Sequence, residues 1–258
     1  MASPYNPFPV NPFKQALKER KKQIGCWCAL ASPISTEILG IAGFDWLQLD
    51  CEHSLNDPLT IVTQLMALKD SVSAPVVRPP WNDMVLLKRF LDAGVYNFLI
   101  PYVESAEEAR AAVASTRYPP EGIRGFGAQQ RQNRYGTVPN YLETINGNIA
   151  LMVQIESVKG VAAAGEIAAV PGVDALFCGP WDLAMNMGYP NNPYVPEVQE
   201  TIQGIAETAL AAGKAAAIMA PGPDDVPRYS QWGYSCFAVG NDAGMLRKYS
   251  QALRDAHQ

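Results

Sequence analysis

Short apolar runs alternate with amphipathic stretches along most of the chain. The apolar runs predict buried strands. These strands are Gly25–Leu30, Trp46–Asp50, Pro75–Arg78, Asn97–Pro101, Ile149–Glu156, Asp174–Gly179, Lys214–Ala220 and Ser235–Gly240. The stretches between them predict helices, among them Pro58–Asp70, Asp83–Gly94, Ser105–Tyr118, Val161–Val170, Val195–Gly213 and Asp242–His257.

Strands that alternate with helices indicate a parallel sheet with helical crossovers. Eight predicted strands in 258 residues favour an α/β fold, a (β/α)8 TIM barrel with a parallel eight-stranded sheet. A doubly wound sheet is the alternative, weakened by the lack of a Gly-rich dinucleotide loop after the first strand. We expect residues 1–258 to form one domain, with residues 1–13 as a loose N-terminal arm.

The composition argues against several classes of protein. The net charge is -5 and no basic run is present, so nucleic acid is not an expected partner. No apolar run reaches membrane-spanning length and the N-terminus does not resemble a signal peptide, so we expect no membrane partner. The five cysteines mostly lie in apolar runs and lack metal-site spacing, which predicts free thiols and a reducing, cytoplasmic compartment.

Two of the apolar runs end in an acid, one at Glu156 and the other at Asp182. In a βαβ unit both carboxylates leave the sheet at its carboxyl edge, where two acids are costly unless something neutralises them. A divalent cation would do so, and oxygen ligands favour Mg²⁺ or Mn²⁺, with Co²⁺ as a possible surrogate. The alternative is that the two acids only cap the helices that follow.

The barrel also predicts a shared rim for the other polar residues at strand ends. His53, which follows Asp50 in the loop after the second strand, is either a general base tuned by a carboxylate or an ordinary surface residue. Arg78 ends a buried strand and needs an anionic partner, either a rim acid or a substrate oxyanion. Asp92 lies near a helix C-terminus, where its charge opposes the helix dipole, so we expect solvent, an amide or the His53/Asp50 system to hold it.

The Gly-rich segment Gly122–Gly127 is followed by Arg131 and Arg134. It lacks the Gly-Lys-Ser/Thr ending of a phosphate-binding loop. A basic loop that meets an anionic substrate and an ordinary solvated loop are both compatible with this segment.

Five motifs in register resemble the HpcH/HpaI family of metal-dependent (class II) pyruvate aldolases, over about residues 22 to 250. They are Asp45-Trp-Leu-Gln-Leu-Asp-Cys-Glu-His53, Val77-Arg-Pro-Pro-Trp-Asn82, Tyr118-Pro-Pro-Glu-Gly-Ile-Arg-Gly125, Gln154-Ile-Glu156, and Gly179-Pro-Trp-Asp-Leu183 with Met187-Gly188. The resemblance implies a (β/α)8 barrel and a homo-hexamer, a trimer of dimers that exchange their last helix, here residues 242–258.

The resemblance also implies roles for individual residues. Glu156 and Asp182 would bind the divalent metal, which pyruvate chelates through its carboxylate and keto oxygens. Arg78 would stabilise the enolate oxygen, and His53, oriented by Asp50 and Asp92, would act as acid and base. The substrate-binding residues would be Gln154, Gly179, Pro180, Trp181 and Asp182, with the backbone amides of Trp181 and Asp182 on the pyruvate carboxylate.

The implied activity is the cleavage or formation of 4-hydroxy-2-oxo acids from pyruvate and an aldehyde. Bacterial aldolases of this type typically carry a small residue at the position of Trp181, whereas some fungal relatives carry an aromatic one. An oxaloacetate decarboxylase or an enolate-coupling enzyme similar to macrophomate synthase is therefore the alternative. A Schiff-base aldolase would need a lysine at a strand's carboxyl end, where neither Lys159 nor Lys214 is predicted to lie. A non-catalytic barrel is disfavoured because Glu156, Asp182, Arg78 and His53 are all present.

Overall fold

The computed structural model describes residues 10–258. It contains a closed barrel of eight parallel strands in chain order, which confirms the predicted (β/α)8 fold. The strands are β1 Gln23–Cys28, β2 Trp46–Asp50, β3 Ala74–Arg78, β4 Asn97–Ile100, β5 Ala150–Ile155, β6 Ala175–Cys178, β7 Ala215–Met219 and β8 Cys236–Asn241.

One helix precedes the first strand, and the others follow the strands and surround the barrel. They are α1 Pro12–Lys18, α2 Pro33–Ile41, α3 Pro58–Ala67, α4 Met84–Asp92, α5 Ala106–Ser115, α6 Tyr141–Asn148, α7 Val158–Ala168, α8 Pro180–Asn186, α9 Pro196–Ala211, α10 Asp225–Gln231 and α11 Asp242–Asp255. A short 3₁₀ helix spans Arg131–Asn133. Several helices begin where a Ser, Asp or Asn side chain accepts a first-turn N–H, as Asp57 does at α3 and Ser105 at α5.

The N-terminal segment differs from its prediction. Residues 1–9 of the expected arm lie outside the described residues, but residues 11–13 are not loose. Asn11 caps α1 by accepting the N–H groups of Phe13 and Lys14. The Phe13 side chain is 2% exposed and packs on Trp46 at the start of β2, with ring centroids 6.0 Å apart. Helix α1 thus plugs the amino-terminal end of the barrel.

The strands present alternate residues to the barrel interior and to the helices. Trp27, Trp46 and Phe177 belong to the interior cluster, together with alanines from β5 to β8. The last inward residues of β2 and β3 are instead Asp50 and Arg78, which are register partners. The interior is therefore mostly apolar below and polar at the carboxyl rim.

The C-terminal helix α11 buries little of its own surface. Asp242 is its only buried residue, and Leu246, Tyr249 and Leu253 are exposed. All five cysteines are free and buried, in agreement with the prediction of free thiols. Within residues 10–258, no helix has the length and apolar character needed to cross a bilayer.

Candidate active site

Arg78 is fixed by a network of acids at the carboxyl rim. Its Nε and Nη2 donate to the two carboxylate oxygens of Asp50 at 2.8 and 2.9 Å. Its Nη1 lies 2.9 Å from Glu52 Oε2, and its Cζ lies 5.4 Å from the ring centroid of Trp27. Burial alone would lower the pKa of Arg78, but the hydrogen bonds to Asp50 and the charges of Asp50 and Glu52 outweigh it and raise that pKa. The guanidinium is thus a preorganised cation.

Glu156 follows β5 and is almost completely buried, with 4% of its surface exposed. Its Oε1 accepts the backbone N–H of Tyr102 at 2.8 Å, and its Oε2 accepts the side-chain amide of Gln154. Burial, followed by the charges of Asp182 and Glu52, raises the pKa of Glu156 to about 8. The hydrogen bonds from Tyr102 and Gln154 orient the carboxylate, but they do not offset the effect of burial and of the neighbouring charges on its pKa.

Gly179 lets the end of β6 approach Glu156. A Cβ at this position would lie 2.7 Å from Glu156 Oε2 and 3.0 Å from Gln154 Nε2, closer than van der Waals contact allows. Gly179 also precedes α8, whose first residues are Pro180, Trp181 and Asp182. Only glycine therefore brings the start of α8 and the Glu156 carboxylate together without displacing either.

Tyr102 is a part of the site that sequence reasoning missed. It follows β4 and adopts a left-handed conformation with φ of 52°, which is uncommon for a residue with a side chain. That conformation accompanies the N–H contact to Glu156. The sequence contains one signal for Tyr102: it directly follows Pro101, the last residue of the predicted fourth strand. Residues at the carboxyl ends of barrel strands share the rim.

Glu52 is a third acid near Glu156 and Asp182. Burial raises its pKa, Arg78 and His53 act in the opposite direction, and the charges of Asp50 and Asp182 raise it further. In the described part of the chain, the interacting carboxylates of Asp50, Glu52, Glu156 and Asp182 therefore outnumber the Arg78 guanidinium. Hard oxygen donors with excess negative charge fit Mg²⁺ or Mn²⁺. In residues 10–258 no group of three or more His, Cys, Asp or Glu side chains is arranged to hold a metal ion.

His53 lies at the rim with its side chain 66% exposed, and its Nε2 is 3.8 Å from Glu52 Oε2. Asp50 and Asp92, the acids expected to orient His53, bond arginines instead. Asp50 holds Arg78, and Asp92 Oδ1 accepts Arg124 Nη2 at 3.2 Å. Glu52 is thus the carboxylate beside His53.

Arg124 explains both Asp92 and part of the Gly-rich segment. Its side chain is fully buried and its Cζ lies 4.3 Å from the ring centroid of Tyr118. Arg131 Nη1 donates to the carbonyl of Ala93 at 2.8 Å, just beyond α4. These two arginines attach the segment after α5 to the C-terminal end of α4. The sequence suggested solvent, an amide or His53/Asp50 for Asp92, and this ion pair was not among those alternatives.

Trp181 lies in the first turn of α8 and is 37% exposed. Its ring meets that of Tyr194 edge-on, with centroids 6.5 Å apart. Tyr194 in turn donates its hydroxyl to buried Asp225 at 3.1 Å. The indole is therefore held at the rim by an aromatic neighbour with a fixed hydroxyl.

Neither of the two lysines considered for a Schiff base is buried at the carboxyl rim. Lys214 precedes β7 and donates to the carbonyl of Val173 at 2.8 Å. Lys159 is 67% exposed and lies 3.1 Å from Glu104. Neither occupies a desolvated pocket that would activate an amine.

The chain matches the HpcH/HpaI aldolase/citrate lyase family over residues 23–248. It is 57% identical over 246 residues to the 5-keto-4-deoxy-D-glucarate aldolase of Citrobacter koseri, covering 95% of this chain and 96% of that protein. A crystal structure of a HpcH/HpaI aldolase/citrate lyase family protein from Burkholderia cenocepacia J2315 superposes with a TM-score of 0.92 at 36% identity, covering 96% of this chain and 100% of the other. Macrophomate synthase is similar with a TM-score of 0.83 at 29% identity, over 95% of this chain and 88% of its own.

Proposed function

The chain is a lyase that belongs to the HpcH/HpaI aldolase/citrate lyase family, and from this premise we propose that it is a metal-dependent pyruvate aldolase. It would cleave or form 4-hydroxy-2-oxo acids, and 5-keto-4-deoxy-D-glucarate, the sugar acid in the name of its relatives, is the first candidate. The observation that supports the proposal is that the charges of Asp182 and of the preorganised Arg78 both act on the buried Glu156 carboxylate at the rim.

Glu156 and Asp182 would hold the divalent cation. When bound, that cation supplies a Lewis acid that polarises the keto group of pyruvate. The N–H groups of Trp181 and Asp182 lie in the first turn of α8, where no intrahelical acceptor exists, and are available to the pyruvate carboxylate. Gln154 orients Glu156 and lies beside Arg78, with its Oε1 3.5 Å from Arg78 Nη1.

Arg78 would stabilise the enolate oxygen that develops when the methyl proton or the aldehyde leaves. Asp50 fixes the guanidinium through two parallel hydrogen bonds, so little reorganisation is needed when charge appears. His53 would transfer the proton. Its exposed ring keeps access to solvent, and Glu52 is the neighbouring acid.

Deuterium exchange into the pyruvate methyl group, followed by proton NMR, tests the shared chemistry. We expect exchange with Mg²⁺, Mn²⁺ or Co²⁺ and none with EDTA. Absence of exchange with every metal would contradict a reversible pyruvate aldolase. Borohydride with pyruvate should give no covalent adduct, and an adduct at Lys159 would instead establish Schiff-base chemistry.

Oxaloacetate decarboxylation or macrophomate-synthase-like enolate coupling is the second candidate. It is favoured by the bulk of Trp181 at the rim and by the similarity to macrophomate synthase. Turnover of a panel of 4-hydroxy-2-oxo acids, compared with oxaloacetate, separates the two. If the enzyme consumes only oxaloacetate, the aldolase proposal is wrong, whereas the proposed roles of the metal and of Arg78 still hold.

We further propose a homo-hexamer, a trimer of dimers that exchange α11, in a reducing cytoplasmic compartment. The exposed Leu246, Tyr249 and Leu253 on a helix that buries only Asp242 support an intermolecular role for α11. The five free thiols are compatible with such a compartment. Light scattering coupled to size exclusion should give six chains per particle, and a monomer would contradict this assembly.

A further inference from the structure

The inward face of β2 carries three side chains with polar atoms in succession, those of Trp46, Gln48 and Asp50. Trp46 belongs to the interior cluster, and Asp50 bonds the inward Arg78. Leu47 and Leu49, between them, belong to the outer cluster beneath the helices. Because side chains alternate along a strand, Gln48 points into the barrel between the other two.

The amide of Gln48 is completely buried, yet neither its Oε1 nor its Nε2 has a hydrogen-bond partner among residues 10–258. Trp46 Nε1, one inward position below, is buried and unpartnered in the same part of the chain. A desolvated amide without partners is strongly unfavourable, and natural proteins satisfy such groups with protein atoms or ordered water.

The surroundings of Gln48 supply few protein partners. Its register neighbours are Trp27 on β1 and Val76 on β3, and neither side chain offers a strong acceptor. Asp50 Oδ2, above it, accepts a hydrogen bond from Arg78 Nη2 and retains a second lone pair. Some interior positions on the later strands are small, among them Ala175, Ala217 and Ala238.

We propose that two buried water molecules complete a polar ladder along the inside of β2. One accepts from Trp46 Nε1 and donates to Gln48 Oε1, and the other accepts from Gln48 Nε2 and donates to Asp50 Oδ2. Inward residues two apart on a strand are separated by about 6.6 Å, and two hydrogen bonds through one water span about 5.6 Å. The ladder links the plugged end of the barrel to the carboxylate that fixes Arg78.

A crystal structure at about 1.2 Å resolution tests the ladder directly. We expect ordered density within hydrogen-bond distance of Trp46 Nε1 and of both Gln48 amide atoms. Direct bonding of the Gln48 amide to protein atoms, or an interior without density beside it, would overturn the proposal.

Unfolding of Gln48→Met provides a second readout, because methionine keeps the shape of glutamine and removes both polar atoms. The matched control is Gln64→Met. Gln64 is equally buried, but its amide bonds Thr36, Asn56 and Thr60 directly. We expect both variants to lower the urea midpoint, since both lose satisfied hydrogen bonds. A higher urea midpoint for Gln48→Met, but not for Gln64→Met, would show that the Gln48 amide has no water partners in the natural protein. The proposal would then fail.

Discussion

A backbone hydrogen bond of 2.8 Å joins the N–H of Tyr102 to Glu156 Oε1, across the ends of neighbouring strands β4 and β5. Tyr102 makes it from a left-handed conformation, with φ of 52°. The contact lowers the pKa of Glu156, but burial and the charges of Asp182 and Glu52 outweigh it. Glu156 is therefore held in place while its ionised form remains unfavourable in the absence of a cation.

This balance predicts a pH-dependent stability in the metal-free protein. The pKa of Glu156 is raised from 4.5 to about 8, so the folded state retains a proton that the unfolded state releases in this window. The stabilising contribution is complete below pH 4.5 and is lost as the pH rises through about 8. We expect the free energy of unfolding, measured with urea in EDTA, to fall by a few kcal/mol over this range.

Glu156→Gln is the matched variant, because it keeps the shape and cannot ionise. We expect its stability to change much less with pH, and we expect Mg²⁺ to stabilise the natural protein more than the variant at pH 8. If both proteins show the same slope, Glu156 is not the group that titrates.

Removal of His53 separates proton transfer from binding. The side chain is 66% exposed, so His53→Ala should change the free energy of unfolding by no more than about 0.5 kcal/mol. We expect the rate of pyruvate methyl exchange to fall by about 10²–10⁴ while pyruvate and metal still bind. An unchanged exchange rate would remove His53 from the mechanism.

Arg78→Lys tests the two parallel hydrogen bonds from Arg78 to Asp50 rather than the positive charge alone. Lysine cannot reproduce the two parallel bonds to Asp50, so the cation would be less well oriented. We expect kcat to fall by about 10²–10³, equivalent to about 2.7–4 kcal/mol of transition-state stabilisation. Steady-state kinetics measures this loss, and a change in KM alone would indicate that Arg78 binds substrate without stabilising the enolate.

Trp181→Ala tests the acceptor side of the site. The indole leans on Tyr194 at the rim, whereas the proposed pyruvate contacts of this residue use its backbone. We expect pyruvate methyl exchange to stay within a few-fold and the range of accepted aldehydes to widen. Tyr194→Phe is the control, since it keeps the aromatic contact and removes the hydroxyl bonded to Asp225. Equal loss of exchange and aldol activity would contradict an acceptor-side role.

The sequence predicts the barrel and its rim well because both depend on local patterns. β2 has the predicted bounds Trp46–Asp50, and Asp50 and Arg78 meet because strand ends share one edge. The plug formed by Phe13 was missed because a Pro- and Asn-rich segment carries no helical periodicity. The partner of Asp92 was missed for another reason: Arg124 lies 32 residues away on an irregular segment, whose position no periodicity encodes.

The pairing of Asp92 with Arg124 leads to the last prediction. Asp92→Asn would leave a fully buried guanidinium without its carboxylate. Breaking a buried pair costs about 3–5 kcal/mol, and because Asp92 is itself 28% exposed we expect a smaller loss, about 2 kcal/mol, in the free energy of unfolding. Arg124→Met removes the charge as well, and the double variant with Asp92→Asn should cost less than the sum of the two single variants.

Urea denaturation measures all three proteins alongside pyruvate exchange. Normal stability with greatly slowed exchange in Asp92→Asn would instead assign Asp92 to the orientation of His53.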